Sequence, residues 1–328
     1  MNRSINSNGN GWVGLLKAHF AIARPDHIVK NVFVLPGIVL PYSAGVVTLS
    51  QGDAITRCIY GSLAICFVAC SNYVINEVLD APHDLHHPEK RFRPVPAGLA
   101  SVPLAYAQWL LMMVIGLGLG LTISVPFTLT LATLWIMGIV YNVRPLRTKE
   151  VMILDVLSES VNNPLRMILG WQLVVDTVLV PPISILLAYL MVGCYFMGLK
   201  RFSELREYTG SQWIGSYRKS LSRYTERILL TTITFYGAAA MLFFGAFIAR
   251  YRIELALSFP FVALVMAVYF DQAFEHGSVV QNPEHLHRNK SLMASVVMCS
   301  IVLGALLFID LPNFSALFTP DSLLQGWK

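Results

Sequence analysis

The sequence predicts an all-α membrane protein, a polytopic bundle of about nine transmembrane helices. Of its 328 residues, 55% are hydrophobic and only 13% are charged, whereas soluble domains carry about 25% charged residues. The apolar residues form continuous runs close to the 20 or so residues that a helix needs to cross a bilayer. Because these runs do not alternate apolar and polar side chains, they exclude a closed barrel. This composition also excludes a disordered chain, a soluble nucleic-acid binder and an ordinary soluble enzyme.

The chain divides into three parts. Residues 1–27 are expected to form a cytoplasmic segment, in which residues 11–23 have the spacing of an amphipathic helix lying in the membrane interface. Residues 28–310 are expected to hold the transmembrane catalytic bundle, and residues 311–328 a C-terminal tail. The apolar runs that predict spans cover 28–50, 54–76, 104–123, 125–141, 152–173, 178–199, 229–249, 254–273 and 291–310.

The basic residues orient the bundle. With the N-terminus in the cytoplasm, 19 of the 24 Lys and Arg residues fall on the cytoplasmic side, as the positive-inside rule requires. The sequence therefore predicts an integral membrane protein with its N-terminus in the cytoplasm, as in a bacterial inner membrane. The basic character is explained by orientation, and no nucleic-acid partner is expected.

A first polar cluster closes the second run. Asn72, Asn76, Asp80 and Asp84 recur every four residues, which places them on one continuous helix face. Oxygen ligands without cysteine suit Mg²⁺, which binds few carboxylates together with substrate phosphate. The alternative is a solvated helix end.

A second polar cluster opens the fifth run. Asp155, Glu159, Asn162 and Arg166 fall within about 60° of one another on a continuous helix. Charged residues in a span point into the bundle and often mark function. The alternative is a Glu159–Arg166 or Asp155–Arg166 pair that only holds helices together. Pro164 is expected to kink this helix.

Both clusters lie at cytoplasmic ends of their spans, so they are expected to share one cavity. Acids that hold Mg²⁺, ringed by Arg and Lys, form a site for a ligand with several phosphates. The alternative for the basic loops is that they serve orientation alone. The basic residues of these loops are Lys90, Arg91, Arg93, Arg144, Arg147, Lys149, Lys200, Arg201, Arg218 and Lys219.

Two segments resemble a known family. NYVINEVLDAPHD resembles the first aspartate-rich motif of the UbiA superfamily of intramembrane prenyltransferases. YNVRPLRTKEVMILDVLSES resembles the second, with Glu159 where a second Asp is usual. ARPDHIVKNVFVLP, HPEKRFRPVPAG, GLKRFSELRE and YRKSLSRYT are similar to the decaprenyl-phosphate phosphoribosyltransferase branch. RPLRTKEVMILD is longer than in that branch and nearer to ordinary prenyltransferases.

The resemblance implies roles for individual residues. Asp80, Asp84, Asp155 and Glu159 are expected to be catalytic, the first pair through an ion on the diphosphate. The implied ligands of Mg²⁺ are Asn76, Glu77, Asp80, Asp84, Asp155 and Glu159. The substrate-binding residues expected from the clusters and the resemblance are Arg24, Lys30, Asn72, Asn76, Lys90, Arg91, Arg93, Tyr141, Arg147, Lys149, Asn162, Arg166, Lys200 and Arg201.

The first expected function is Mg²⁺-dependent prenyl transfer from a polyprenyl diphosphate to an aromatic or lipid acceptor, with loss of diphosphate. An alternative is phosphoribosyl transfer from phosphoribosyl diphosphate (PRPP) to a polyprenyl phosphate. Both reactions release diphosphate, so the motifs do not choose between them. A third possibility is a transporter or lipid-binding protein without chemistry, because intramembrane acids also mark ion pathways.

Overall fold

The computed structural model describes residues 11–177, 179–208, 219–281, 286 and 289–314. These residues are mainly helical and contain no strand. The α-helices in chain order are α1 (Gly11–Ile22), α2 (Leu35–Ser43), α3 (Gln51–Asp84), α4 (Val102–Leu121), α5 (Val125–Asn142), α6 (Leu154–Ser160), α7 (Asn162–Val174), α8 (Ile183–Tyr208), α9 (Glu226–Tyr251), α10 (Phe259–Gln272) and α11 (Lys290–Phe308). The 3-10 segments are Pro25–Val34, Lys90–Phe92, Thr148–Glu150, Leu221–Arg223, Ile253–Ser258 and Val279–Gln281.

The predicted all-α membrane bundle is confirmed. Within the described residues, seven stretches are long and apolar enough to cross a membrane: α3, α4, α5, α8, α9, α11, and Ile253–Gln272, which includes α10. They match seven of the nine predicted runs. Helix α3 has 34 residues and continues past the predicted end at residue 76. Asp80 and Asp84 therefore lie on the same helix as Asn72.

The other two predicted runs, 28–50 and 152–173, are not single helices. Pro36 has no N–H to donate to a helical hydrogen bond. Just before it, the N–H of Leu35 donates to the carbonyl of Val32, three residues back, as in a 3-10 helix. The first run thus divides into the Pro25–Val34 segment and the short helix α2. The second run breaks at Val161, where α6 gives way to α7, because Pro164 cannot continue the ladder. The interruption lies within one turn of Pro164, where a kink was expected.

Four apolar clusters form the core of the described residues, and two of them contribute side chains to the wall of a central cavity. Helices α2, α3, α5 and α7 share the first of these two clusters, which includes the fully buried Phe127 and Leu131. Helices α6 and α8 to α11 share the second, which includes Leu199 and Phe202. Large apolar side chains such as that of Leu111 remain exposed on the outside. In a membrane protein such a surface faces lipid.

Helix α1 is docked on α4 by a pair of polar contacts. His19 Nδ1 lies 2.9 Å from Gln108 Oε1, and Gln108 Nε2 donates to the His19 carbonyl at 2.9 Å. The side chains of Trp12, Leu16 and Phe20 remain exposed. The helix predicted over residues 11–23 is present, and its exposed apolar side chains suit the membrane interface.

The Pro25–Val34 segment and α2 lie directly against the backbone of α7. A Cβ built on Gly170 would come within 2.1 Å of the Val34 carbonyl oxygen, and one on Gly37 within 2.0 Å of the Met167 carbonyl oxygen. Only glycine fits at such approaches of backbone to backbone. This contact places the residues of the 3-10 segment beside Arg166 of α7.

We expect Gly170→Ala to lower the free energy of unfolding by about 1–3 kcal/mol, because the Val34 backbone cannot move away without disturbing the core. The measurement is thermal unfolding in detergent micelles. Gly304→Ala on α11 is the matched control, since a Cβ there meets nothing within 4 Å. Equal melting temperatures for the two variants would contradict the prediction.

Candidate active site

A cavity opens between the two halves of the bundle. Its volume is about 1210 Å³, counted with its opening to solvent. Fourteen of the residues predicted from the sequence line it: Arg24, Lys30, Asn72, Asn76, Asp80, Asp84, Lys90, Arg93, Tyr141, Glu159, Asn162, Arg166, Lys200 and Arg201. The two polar clusters therefore share one cavity, as expected from their positions in the sequence.

The cavity extends along α3. Asn72, Asn76, Asp80 and Asp84 all line it, so the four-residue spacing does place them on one face. From Asn72 to Asp84 the helix rises about 18 Å. At the Asn72 end of this face, the Asn72 amide donates to the Leu134 carbonyl of α5 at 3.0 Å. The cavity is thus an elongated cleft with chemically different ends.

The carboxylate end, defined by Asp80 and Asp84, is held by basic side chains. Asp80 Oδ1 accepts from Lys149 Nζ and from an Arg147 guanidinium nitrogen, the latter at 3.2 Å. Asp84 Oδ2 accepts from Arg93 at 2.8 Å. Arg147 and Lys149 are buried and stand behind Asp80, outside the cavity lining. They fix the direction of this carboxylate, while Arg93 faces the cavity itself.

A neutral histidine anchors the loop that carries Lys90 and Arg93. His87 is buried, and its Nδ1 accepts from the backbone N–H groups of Glu89 and Lys90 at 3.1 and 3.2 Å. Burial, followed by the charges of Lys90 and Arg93, lowers the pKa of His87 to about 4. The imidazole is therefore neutral at pH 7 and keeps its Nδ1 lone pair for the loop.

Asp155 faces away from the cavity. It is fully buried, and its carboxylate accepts from Arg201 Nε at 2.8 Å, the Tyr224 hydroxyl at 2.7 Å and the Ser220 hydroxyl at 3.1 Å. Arg201 also pairs with Glu204 at 2.8 Å. The structure thus places Asp155 as the residue that orients Arg201, and its role as a metal ligand stays a prediction.

A strained backbone accompanies this network. Ile153 has φ 71°, a conformation that costs a β-branched residue on the order of 1–3 kcal/mol. Its N–H donates to the Tyr224 hydroxyl at 2.7 Å, and the same hydroxyl donates to Asp155. Tyr224 therefore ties the loop before α6 to the residue that positions Arg201.

The far wall of the cavity carries a buried cation without an acid. Arg166 is 8% exposed, and among the described residues no carboxylate lies within ion-pair distance of it. Its hydrogen bonds run to Asn31 Oδ1 and to the Asn162 carbonyl, both at 3.4 Å. Neither the Asp155–Arg166 nor the Glu159–Arg166 pair forms. A buried charge without an ionic partner is costly, so its presence needs a reason.

The lining is basic overall. Among the described residues, seven Lys and Arg side chains line the cavity against four Asp and Glu. The lining acids are Asp80, Asp84, Glu159 and Glu204, and the lining bases are Arg24, Lys30, Lys90, Arg93, Arg166, Lys200 and Arg201. An enclosed basic cleft at a membrane surface attracts anions with several charges.

Residues 38–280 match the family model described as the UbiA prenyltransferase family. The chain belongs to this family. It is therefore an integral membrane transferase. The family assignment excludes the alternative of a transporter without chemistry.

Curated relatives of this UbiA-family transferase carry a common name. Decaprenyl-phosphate phosphoribosyltransferase from Mycolicibacterium smegmatis is 28% identical over 235 residues, covering 71% of this chain and 69% of the relative. The protein of that name from Mycobacterium tuberculosis is 27% identical over 235 residues, covering 71% and 72%.

A solved structure shares the fold. The UbiA homolog from Archaeoglobus fulgidus bound to GPP and Mg²⁺ superposes with a TM-score of 0.66 at 19% identity, covering 89% of this chain and 99% of that chain.

Besides Arg147, Lys149 and Asp155, two further predicted site residues of the UbiA-family transferase lie outside the cavity lining. The Glu77 carboxylate, predicted as a metal ligand, accepts from the Val95 N–H at 3.2 Å, because one residue beyond Asn76 rotates the side chain by about 100°. Arg91 is exposed, with its guanidinium 4.7 Å from the ring centre of Phe92. Arg218 lies outside the described residues.

The sequence did not indicate several residues of this site. Glu204 and His27 line the cavity, and both lie within segments that carry the family resemblance. Ser220 and Tyr224 follow Asp155 by more than sixty residues, and no spacing could connect them to it. Helical periodicity predicts which residues share a face of one helix. It does not predict contacts between elements that are distant in the sequence.

We expect Asp155→Asn to lower the free energy of unfolding by about 3 kcal/mol, because it leaves the buried Arg201 with one carboxylate instead of two. Asp176→Asn is the matched control, since Asp176 is an exposed partner of Arg57 at 3.0 Å, and such pairs contribute less than about 1 kcal/mol. Thermal unfolding in detergent measures both. An equal decrease in the free energy of unfolding of the two variants would contradict the stabilising role assigned to the buried Asp155–Arg201 pair.

Proposed function

We propose that this UbiA-family transferase moves phosphoribose from PRPP to a polyprenyl phosphate. The observation that carries the proposal is the basic excess of the cavity, with seven Lys and Arg side chains against four acids. Asp80, Asp84 and Glu204 are themselves paired with Lys or Arg. A single diphosphate bound with a divalent cation brings little net negative charge to such a cleft. PRPP adds a 5-phosphate, and the lipid acceptor adds another phosphate.

An unpaired acceptor in the cavity supports the same substrate. Asn162 Oδ1 is a buried oxygen without a hydrogen-bond partner, and Asn162 lines the cavity. Buried acceptors require donors. The ribose of PRPP offers two hydroxyl groups, whereas a prenyl diphosphate offers none. The relatives named decaprenyl-phosphate phosphoribosyltransferase add support from sequence similarity.

The oxygen donors at the carboxylate end fit Mg²⁺. Asp80 and Asp84 stand one turn apart on α3, with Asn76 below them and Glu159 across the cavity. Mg²⁺ is bound in proteins by one or two carboxylates plus substrate phosphates, so no larger cluster is required. We propose that Asp80 and Asp84 hold the ion, with Asn76 and Glu159 as further donors. When bound, Mg²⁺ offsets the charge that develops on the departing diphosphate.

The chain's own residues then have defined tasks. Lys149 and Arg147 keep the Asp80 carboxylate in place, while Arg93 and Lys90 bind diphosphate oxygens at the cavity mouth. The bond from C1 of ribose to diphosphate breaks, and a bond from C1 to a lipid phosphate oxygen forms. That oxygen is already anionic, so no base is needed. Leu134, Met137 and Met197 line the cavity and limit the access of water to C1.

The basic loops give the proposed orientation. Lys90, Arg93 and Lys200 lie at the end of the bundle where α3 and α8 carry their polar residues. On the basis of the positive-inside rule, we propose that this end faces the cytoplasm, as in a bacterial inner membrane. PRPP is soluble in water and would enter from that side, while the lipid arrives within the bilayer.

We expect membranes that contain the protein to transfer label from PRPP into the lipid fraction when a polyprenyl phosphate is added. The matched variants are Asp80→Asn, expected to lose at least 100-fold, and Asp53→Asn, an exposed acid at the opposite end of α3, expected to retain activity. Thin-layer chromatography of the lipids is the measurement. Transfer of label from a prenyl diphosphate to a neutral acceptor, without transfer from PRPP, would favour the competing prenyl reaction.

Removal of divalent cations provides a separate test of the metal site. We expect EDTA to abolish transfer and Mg²⁺ to restore it, because the charge on diphosphate is otherwise not offset. Binding of Mn²⁺, followed by electron paramagnetic resonance, is expected to weaken at least tenfold in Asp80→Asn and to stay unchanged in Asp155→Asn. Turnover in EDTA, or loss of Mn²⁺ binding in Asp155→Asn, would contradict the assigned ligands.

A further inference from the structure

Away from the carboxylate end, the cavity has a second group of polar residues, which we call the basic end. It consists of Lys30 and His27 of the Pro25–Val34 segment and Asn162 and Arg166 of α7, and all four line the cavity. Lys30 and His27 stand three residues apart, and therefore on one face of a 3-10 helix. Both contact the ring of Tyr73, with Lys30 Nζ 5.7 Å from its centre.

The basic end lies at a different depth from the carboxylates. Asn31 accepts from Arg166 Nε at 3.4 Å and donates to Cys66 Sγ at 3.3 Å. The guanidinium is therefore close to the level of Cys66 on α3. Cys66 precedes Asp80 by 14 residues, which is about 21 Å along a helix axis. Lys30 and His27 lie at Tyr73, seven residues and about 10 Å before Asp80. Arg166 is therefore the member of the basic end that lies farthest from the carboxylates.

The cations of the basic end have no ionic partner among the described residues. Arg166 has five N–H donors, and its hydrogen bonds to Asn31 and Asn162 are long ones to two neutral oxygens. Arg201, a buried arginine of the same cavity, differs from Arg166 in this respect. It is 1% exposed and pairs with two carboxylates. Among the described residues, neither Lys30 nor Arg166 has any carboxylate within ion-pair distance. A buried charge that the protein leaves uncompensated requires a ligand of opposite charge.

We propose that Arg166 and Lys30 bind a phosphate monoester dianion at the basic end, in a subsite separate from the diphosphate site. The guanidinium fork matches two phosphate oxygens, and the ammonium of Lys30 adds a second charge. This inference rests on the proposed function, whose two substrates each carry a phosphate monoester. These are the polyprenyl phosphate and the 5-phosphate of PRPP, and the chemistry that Arg166 recognises is the same in both.

The test measures binding without turnover. Farnesyl phosphate represents the lipid source and ribose 5-phosphate the soluble source, and titration calorimetry of the detergent-solubilised protein gives the Kd of each. We expect Arg166→Gln and Lys30→Met to raise the Kd of one probe at least tenfold, and Arg166→Lys to raise it less. The probe whose Kd rises identifies the source. Arg57→Gln, which removes an arginine paired with Asp176 at the opposite end of α3, should leave both values unchanged.

Several outcomes would overturn the subsite. These are wild-type protein that binds neither probe, and Kd values within twofold of wild type in the folded variants. If Arg166→Gln does not fold, Lys30→Met decides, because Lys30 is only half-buried and its loss should be tolerated. Failure of the proposed function is recognisable separately. Wild-type membranes would then transfer no label from PRPP, while the Kd of farnesyl phosphate would still depend on Arg166.

Discussion

A charge inside a membrane protein must be compensated, and this requirement organises the cavity. Asp80 is compensated by Lys149 and Arg147, Asp84 by Arg93, and Asp155 by Arg201. These pairs join α3 to the loop before α6, and α6 to α8, so they also hold together the two apolar clusters beside the cavity. Among the described residues, Arg166 and Lys30 line the same cavity with no carboxylate at ion-pair distance. The substrates are expected where the protein itself supplies no counter-charge.

The parts of the fold that depend on composition were predictable from the sequence. Long apolar runs become helices because backbone groups in lipid must be satisfied internally, and seven of the nine runs do so as continuous spans. The runs at 28–50 and 152–173 are divided by prolines, which a hydropathy average does not detect. Pro36 and Pro164 interrupt the hydrogen-bond ladder while leaving the apolar composition intact. The contact of Gly170 with Val34 then depends on tertiary packing, which no local pattern contains.

The same distinction explains which site residues were found. The residues of α3 were placed correctly because they share one uninterrupted helix, where spacing fixes direction. Asp155 and Arg166 were expected on one stripe, and Glu159 and Arg166 do line the cavity on either side of the break at Val161. Asp155 does not, because Arg201 and Tyr224 from distant parts of the chain hold its carboxylate. Glu77 shows the converse limit, since a single step along α3 carries an acid out of the site.

The length of α3 has a consequence for how reactants meet. Its 34 residues span about 51 Å, whereas the hydrocarbon layer is about 30 Å thick. The helix therefore passes from the hydrocarbon into the aqueous boundary while lining a single cavity. In the proposed reaction, the hydrophilic donor and the water-insoluble acceptor can each remain in the phase that dissolves it and still touch the same helix. The proposed lipid substrate then stays in the bilayer during the reaction, because the polar cavity extends to the depth of its headgroup.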